Sequence, residues 1–570
     1  MAFMTPSTFF CDRCNPPFDT TTIQPLPVYP PDHIPTDSEV SEAFVAIENG
    51  KRVLARYDEE ILHLQSRLSQ VERQRQRLNE RINQTRQSIS TMKRVPTEIW
   101  QEIFAFACLS SAWSLAISDN NVIATPLKIS HVCSRWRRII RAVPRFWSSI
   151  SLDIVHPCGD AVNLIETYIS ASKGYPLTIY IWENYEISDS FEYIHDAIVD
   201  LGLDGVLALQ KLMRYVGQCE ELHIEVSWEI LAAVADPGEV SFPVLRSLKA
   251  IRQPGDDQIE RLGWFGEALA RAPLLRDLRL ERLETAPRFF PLSQITTVAL
   301  DDSRGFDCVS PGLAACTSLE QFEVTLMDPC LDSVLVPPHT TTLTSLRNLT
   351  IHSCGLTNMT IHPIPRILAA VTFPSLTSLT ITVPPECFAS DEETPQAIVS
   401  LIERSQCSLT SLCLQFPIYN IPSFQDLLRI CPELSELEIV WAYQARMKIS
   451  NLLSVFTLCA ESNNDDLIPR LSKFVLHSED NDLVWGYRDA VVSSLVEMLS
   501  SRIASGTQTG HLTDVHIQLH PQKFVDYEFI HSMGEKPIRD LWGPILRERL
   551  GFLRDHGVRC SVENRDDFWE

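Results

Sequence analysis

No apolar run of roughly 18 residues or more occurs in this chain of 570 residues, so no transmembrane helix is expected. The first ten residues lack the basic n-region and apolar h-region of a signal peptide. The final Asp566-Asp567-Phe568-Trp569-Glu570 is not a prenylation box, so neither a signal peptide nor prenylation is expected. Basic residues are in deficit: 49 Lys and Arg stand against 73 Asp and Glu, a net charge of -24. A surface of that sign repels phosphate, which argues against a nucleic-acid or anionic-membrane binder. Catalytic signatures are also missing. There is no Walker loop, no Gly-x-Ser-x-Gly elbow, no His-Glu-x-x-His and no Gly-x-Gly-x-x-Gly beside a strand. No catalytic residue and no cofactor are therefore expected. The 16 cysteines mostly sit singly in apolar runs, as in Ser411-Leu412-Cys413-Leu414. That usage fits free thiols in a reducing compartment, cytoplasmic or nuclear, and removes meaning from the Asn348 and Asn358 glycosylation matches. Cys11 and Cys14 form one Cys-x-x-Cys, but a structural zinc needs four ligands and no second pair follows, so no metal site is expected.

What is present is ordinary folded composition, 45% hydrophobic and 21% charged. Prolines crowd residues 1–45 (Pro16, Pro17, Pro25, Pro27, Pro30, Pro31, Pro35), which removes backbone donors and predicts an extended or disordered tail. Over 46–93 the pattern changes. Ile47, Leu54, Tyr57, Ile61, Leu64, Leu68, Val71, Leu78, Ile82, Ile89 and Met92 step by fours and threes, a heptad with one seam. From Lys51 to Arg94 there are eleven basic and five acidic residues, about +6, which leaves about -30 on the remainder. A long helix follows. Self-pairing as a coiled coil, a single helix, and folding back on the acidic body all remain open.

Pro96 stops that helix, and Thr97 is placed to cap the next, through Glu98, Ile99, Trp100, Ile103 and Phe104. After a polar loop near Ser118-Asp119-Asn120-Asn121, a second helical pattern runs from Leu127 to Val143 and ends at Pro144. Its basic residues (Lys128, Arg135, Arg137, Arg138, Arg141, Arg145) around Trp136 could be read as a nucleic-acid helix, but a solvated face in an acidic chain accounts for them.

The residues of 94–150 carry a resemblance. Val95-Pro96-Thr97-Glu98-Ile99, then Val132-Cys133-Ser134-Arg135-Trp136-Arg137, then Pro144-Arg145-Phe146-Trp147, resembles an F-box. Val95 and Phe146 stand where that family usually has Leu. A Cys-x-x-Cys, the stretch Pro35-Thr36-Asp37-Ser38-Glu39 and a heptad helix ahead of the F-box are similar to F-box proteins of mushroom-forming fungi.

Residues 151–520 repeat. Leu275-Leu278-Leu280 has three-then-two spacing, which recurs at Leu319-Phe322-Val324, Leu346-Leu349-Ile351, Leu376-Leu379-Ile381 and Leu409-Leu412-Leu414. It returns at Leu434-Leu437-Ile439, Leu471-Phe474-Leu476 and Leu512-Val515-Ile517, with a shorter Leu245-Leu248 and weaker copies at Ile295-Val298-Leu300 and Leu222-Ile224. Helical patterns lie between several copies, at Ile259–Ala270, Gln396–Arg404, Phe424–Ile430 and Ala490–Ile503. One such unit cannot bury its own apolar face, so neighbours must stack. The expected fold class is α/β: a leucine-rich-repeat solenoid, with parallel strands on the concave face and helices on the convex face. A small all-α F-box and a long heptad helix precede it. Residues 521–570 lack the pattern and read as a C-terminal cap.

The resemblance implies a non-catalytic substrate receptor of an SCF-type ubiquitin ligase. It implies that Pro96, Ile99, Ile103, Phe104, Val132, Cys133 and Trp136 build the F-box and its surface for a Skp-type adaptor, and through it a cullin. Outward strand positions are the candidates for holding an unidentified target protein: Arg279, Glu281, Glu323, His352, Gln415, Glu438, His477 and His516. Their mixed charge points to a protein surface. The heptad helix offers a homodimer contact. The alternative is a leucine-rich-repeat scaffold not engaged with a ligase.

Overall fold

Thr36 sets where the first helix begins. Its hydroxyl accepts from the Glu39 N–H, and the Glu39 carboxylate accepts from the Thr36 N–H at 2.8 Å. This reciprocal pair satisfies two donors that a helix start leaves open. The computed structural model describes residues 26–89, 91–110, 113–118, 121–155, 157–183, 203–226, 231, 240–250, 263–281, 289–303, 310–326, 341–353, 363–383, 393–415, 421–441, 449–458, 467–478, 488–504, 512–519 and 542–564. Cys11 and Cys14 lie outside them. The chain divides into two units, residues 1–100 and 101–570.

In the first unit, α1 (Asp37–Ser88) is one helix of 52 residues, about 80 Å long at 1.5 Å per residue. It starts at Asp37, not at the expected 46, because the capping box lies ahead of the first heptad position. The seam residues Leu54, Ile61, Leu64, Leu68, Val71, Leu78 and Ile82 are all exposed. The next helix, α2 (Thr97–Leu109), begins at Thr97 itself. The Pro96 carbonyl accepts from the Trp100 N–H, so Thr97 is the first helical residue and not the cap.

In the second unit, the helix expected from Leu127 to Val143 is two. They are α3 (Thr125–Val132) and α4 (Ser134–Ala142), broken at an extended Cys133. The Cys133 sulfur accepts from the Trp136 N–H at 3.4 Å and so caps α4. The loop ahead of them is a hairpin of β1 (Leu115–Ile117) and β2 (Val122–Ala124). The segment is therefore not all-α: β1 pairs in parallel with β3 (Ser149–Asp153) and joins the main sheet.

The strands that follow are β4 (Leu177–Trp182), β5 (Cys219–Glu225), β6 (Ser247–Ala250), β7 (Asp277–Leu280), β8 (Thr297–Ser303) and β9 (Gln321–Leu326). Next come β10 (Thr341–Thr342), β11 (Asn348–Ser353), β12 (Val371–Thr372), β13 (Ser378–Thr382) and β14 (Ser411–Gln415). The series ends with β15 (Glu436–Trp441), β16 (Lys473–Ser478), β17 (Asp514–Leu519) and β18 (Arg559–Asn564). Sixteen of the described strands form one sheet, in sequence order from β3 to β18, with β1 beside β3 and β2 outside β1; it is parallel except for the β1–β2 edge, and β10 pairs with β12 apart from it. Parallel neighbours require crossovers, and helices supply many of them. The expected helical patterns fall at Gly263–Ala270, Glu393–Ser405, Ile421–Arg429 and Arg488–Ala504, with 259–262 outside the described residues.

The repeated leucines stand in columns. Leu349, Leu379, Leu412, Leu437, Phe474 and Val515 are register partners in succession, and all are buried. Burying each such side chain is worth about 1.5–3 kcal/mol, available only when both neighbours are stacked. A polar column runs beside the apolar ones. Thr377, Thr410, Ser435, Ser472 and Thr513 each follow a repeat's first leucine. Each hydroxyl donates to the backbone carbonyl of the equivalent residue one repeat earlier, at 3.0–3.2 Å.

The C-terminal segment read as a cap outside the pattern contains a further sheet strand: β18 pairs in parallel with β17, placing Cys560 opposite Val515 and Val562 opposite Ile517. Among the described residues, no helix is long and apolar enough to cross a membrane.

Candidate interaction surfaces

Two surfaces of the second unit present chemistry outward. The first is the α2–α4 segment. Phe104 is 2% exposed. Its ring meets the half-buried Trp136 edge-on at 5.1 Å, so this pair fastens α2 to α4 from inside. Arg137 donates to the Ser130 carbonyl at 2.9 Å and ties α4 to α3. Trp147 is buried, donates to the Ile140 carbonyl at 3.0 Å and packs edge-on against Tyr168. Tyr168 in turn donates to the Ser114 carbonyl at 3.1 Å, beside the hairpin. The motif's aromatic residues are thus largely braces.

Ile139 and Ile140 are buried as well, but three large apolar groups still point to water. Ile103 is 47% exposed, Phe106 77% and Val132 60%, and Cys133 is exposed beside Val132. Ile103 and Phe106 are three residues apart and share one face of α2. Pro96 and Ile99, exposed as well, belong to the first unit. Phe106 was missed by motif reading, although its spacing from Ile99 and Ile103 was visible.

The second surface is the outward row of the sheet. The structure brings most of the eight candidate residues into cross-strand pairs with one another or with neighbours. Arg279 grips Asp301 with two nitrogens at 2.7–2.9 Å, and His352 lies 3.6 Å from Glu323. Gln415 and His477 both bond the Glu438 carboxylate, at 2.9 and 3.0 Å. His516 bonds Ser561 and Gln518, and Glu281 is half-buried just beyond β7. His477 is only 6% exposed, so it braces the sheet and offers little of its own surface outward.

Cys413, His477 and Glu438 converge, which invites a nucleophile reading. The electrostatics oppose it. Burial, then the Glu438 charge, pushes the Cys413 thiol far above its ordinary value, so no thiolate forms. Burial would also raise Glu438, but hydrogen bonds from His477, Gln415 and Cys413 outweigh it and hold its carboxyl at about 2. The knot is structural. Cys413 itself is half-buried, while Cys108, Cys219, Cys316 and Cys431 are fully buried thiols.

Near the hairpin the outward row turns aromatic. Tyr180 stacks with Trp113 at 5.3 Å and with Trp182 at 6.2 Å, and His223 meets Trp113 and Tyr180 edge-on at 5.9 and 6.1 Å. Leu177-Thr178-Ile179-Tyr180-Ile181-Trp182 alternates strictly, so the outward position of Tyr180 and Trp182 was legible in the sequence, yet it lies outside the leucine pattern.

No family model matches this chain, and no curated protein matches it. Among solved structures it is similar to a protein from Bacteroides fragilis at 14% identity, over 61% of this chain and 76% of that one, with a TM-score of 0.27. A likeness that weak carries no argument here.

Proposed function

We propose that this chain is a substrate receptor of an SCF-type ubiquitin ligase, with α2–α4 acting as an F-box for a Skp-type adaptor and the strand face of leucine-rich repeats holding a target protein. The observation that carries the reading is the division of labour in α2–α4. Phe104, Trp136 and Trp147 close the interior, while Ile103, Phe106 and Val132 stay outside. Exposed apolar groups of that size on a small rigid support suit a protein contact. The mechanism is proximity. Adaptor and cullin bring the ubiquitin-carrying enzyme, the repeats bring the target, and the effective concentration of target lysines rises without a bond being made by this chain. The exposed heptad seam of α1 pairs two copies, which doubles the target sites per assembly.

The second reading, a scaffold free of any ligase, draws on the β1–β2 hairpin. It builds the helical segment into the sheet edge, as an end cap would be built. Co-purification of the full chain with a Skp-type adaptor separates the two. Wild type is expected to bind, and Ile103→Asp with Phe106→Asp to lose at least about tenfold, since each exposed side chain forfeits on the order of 1–3 kcal/mol of contact. An unchanged thermal transition in the variant shows the loss is local. Failure of the wild type to bind gives the scaffold reading the field.

A further inference from the structure

The aromatic end of the outward row combines three properties. It is rigid: the Tyr180 hydroxyl donates to the Glu225 carboxylate at 2.5 Å, the Trp182 indole N–H donates to the Ser151 hydroxyl at 3.1 Å, and Lys249 holds Glu225 from the other side at 3.4 Å. It is accessible: Trp113, Tyr180, Trp182 and His223 are all half-buried, so ring surface remains open to a partner. It is flanked by acid. Outward positions of β5 to β9 carry five carboxylates, Glu221, Glu225, Asp277, Asp301 and Glu323, against two cations, Lys249 and Arg279. Both cations are already tied to carboxylates of the same row.

We infer that Trp113, Tyr180, Trp182 and His223, with Glu221 on the same strand as His223 and Asp277 two strands further along the row, form a docking site for a basic, arginine-bearing protein segment. Held aromatic rings make contact area at little entropic cost, and Trp and Tyr dominate the energy of protein contacts. A guanidinium is the cation that stacks on such rings while its N–H groups reach carboxylates. The surplus of acid along β5 to β9 extends the attraction to further basic residues of the same segment. The inference deepens the receptor reading by giving the partner's chemistry. Its test uses no adaptor, so the two fail independently.

The experiment is fluorescence anisotropy of the full chain with a labelled peptide of alternating arginine and glycine, beside a glutamate–glycine peptide of equal length. Trp182→Thr preserves strand propensity and should weaken the arginine peptide by about tenfold or more. Glu221→Gln with Asp277→Asn should weaken it several-fold and flatten its salt dependence. The control, Glu403→Gln with Glu548→Gln, removes the same charge from exposed helix positions and should change affinity less than about twofold. Thermal unfolding of each variant must match wild type, and Trp182→Phe, which keeps a ring, should restore most of the binding if the loss is local. Equal weakening by the helix control would reduce the attraction to bulk charge and overturn the site, as would tight binding of the glutamate peptide. Self-association of wild type that Trp182→Thr abolishes would instead assign this face to a second copy.

Discussion

Arg502 is 4% exposed, yet it is charged, and its three nitrogens donate to the carbonyls of Phe456, Ile468 and Leu467, each at 3.0 Å. It sits in the last turn of helix Arg488–Ala504 and closes the end of the preceding helix and the turn that enters β16. Arg404 does the same three repeats earlier, ahead of β14, donating to the Leu368 and Val371 carbonyls. The adjacent serines repeat the device: Ser405 accepts from the Phe373 N–H and Ser501 from the Leu458 N–H, both at 3.0 Å. Arg502→Met keeps the length and apolar stem but deprives three carbonyls of their partner. Each orphaned buried acceptor costs about 1–3 kcal/mol. Relief from burying the guanidinium and entry of water offset part of that, so we expect a net loss of about 3–5 kcal/mol. Because repeats are stabilised by nearest neighbours, the loss should be local. Hydrogen exchange should quicken in residues 467–478 and 488–504 and stay unchanged in 149–182. Arg502→Lys, a point charge without the fork, should recover less than half. Protection in 467–504 within about 0.5 kcal/mol of wild type would refute the reasoning, because ordinary surface substitutions fall in that range. So would a uniform change over the whole sheet.

The hydroxyl column gives a second expectation: Ser435→Ala and Ser472→Ala should each cost about 0.5–1.5 kcal/mol in chemical denaturation, where solvent-facing serine replacements cost nearly nothing. Glu438 gives a third. Its folded pKa of about 2 lies below the ordinary 4.5, so its contribution is complete above the unfolded value and is lost as pH falls through the folded one. The limb between those values is worth up to about 3 kcal/mol and about 2 after discounting residual exposure, and Glu438→Gln should flatten it in acid unfolding curves. The fourth concerns α1: sedimentation of the full chain should show a concentration-dependent dimer. Leu64→Asp with Val71→Asp should weaken it by at least about a hundredfold, since two buried apolar contacts are lost per chain. A monomer at every concentration would remove the pairing of copies from the receptor reading.

How legible these features were depended on how far apart their parts lie. The leucine columns could be read because each inward position repeats the same apolar class at three-then-two spacing, so Leu379, Leu412 and Leu437 announce one another. The strand β18 could not. Gly557 stands three residues before Cys560, where a repeat has its first leucine, and takes a positive φ of 77°. The start of α1 was written in Thr36 and Glu39, a capping box within the sequence window yet ahead of the heptad that drew attention. The parity of the outward row was also readable, but its partners were not. Asp301 lies 22 residues from Arg279, and His477 lies 39 from Glu438. Only the register of parallel strands decides that these side chains satisfy each other. The aromatic site combines both difficulties: Tyr180 and Trp182 alternate locally, while Trp113 and His223 arrive from separate elements.

The hairpin gives the two surfaces of the second unit a physical relation. Leu115, Ala116 and Ile117 pair with Ile150, Ser151 and Leu152, and the Tyr168 hydroxyl holds the Ser114 carbonyl one residue before β1. Trp113, two residues before β1, is already part of the aromatic shelf. The described residues that join the α2–α4 segment to the outward row are thus held by backbone pairing of β1 and by the buried Tyr168 hydrogen bond. A flexible tether would spread a bound segment over a volume that grows with its length, diluting any reactive group held at the far end. Fastening α2–α4 to the first strands keeps that volume small. On the receptor reading, this is where the transfer geometry is set: a basic segment seated on Trp182 and Tyr180 stays in one orientation to whatever grips Ile103 and Phe106. Loosening the brace, through Tyr168→Phe, should leave each contact intact in binding assays and still lower ubiquitin transfer to a bound target.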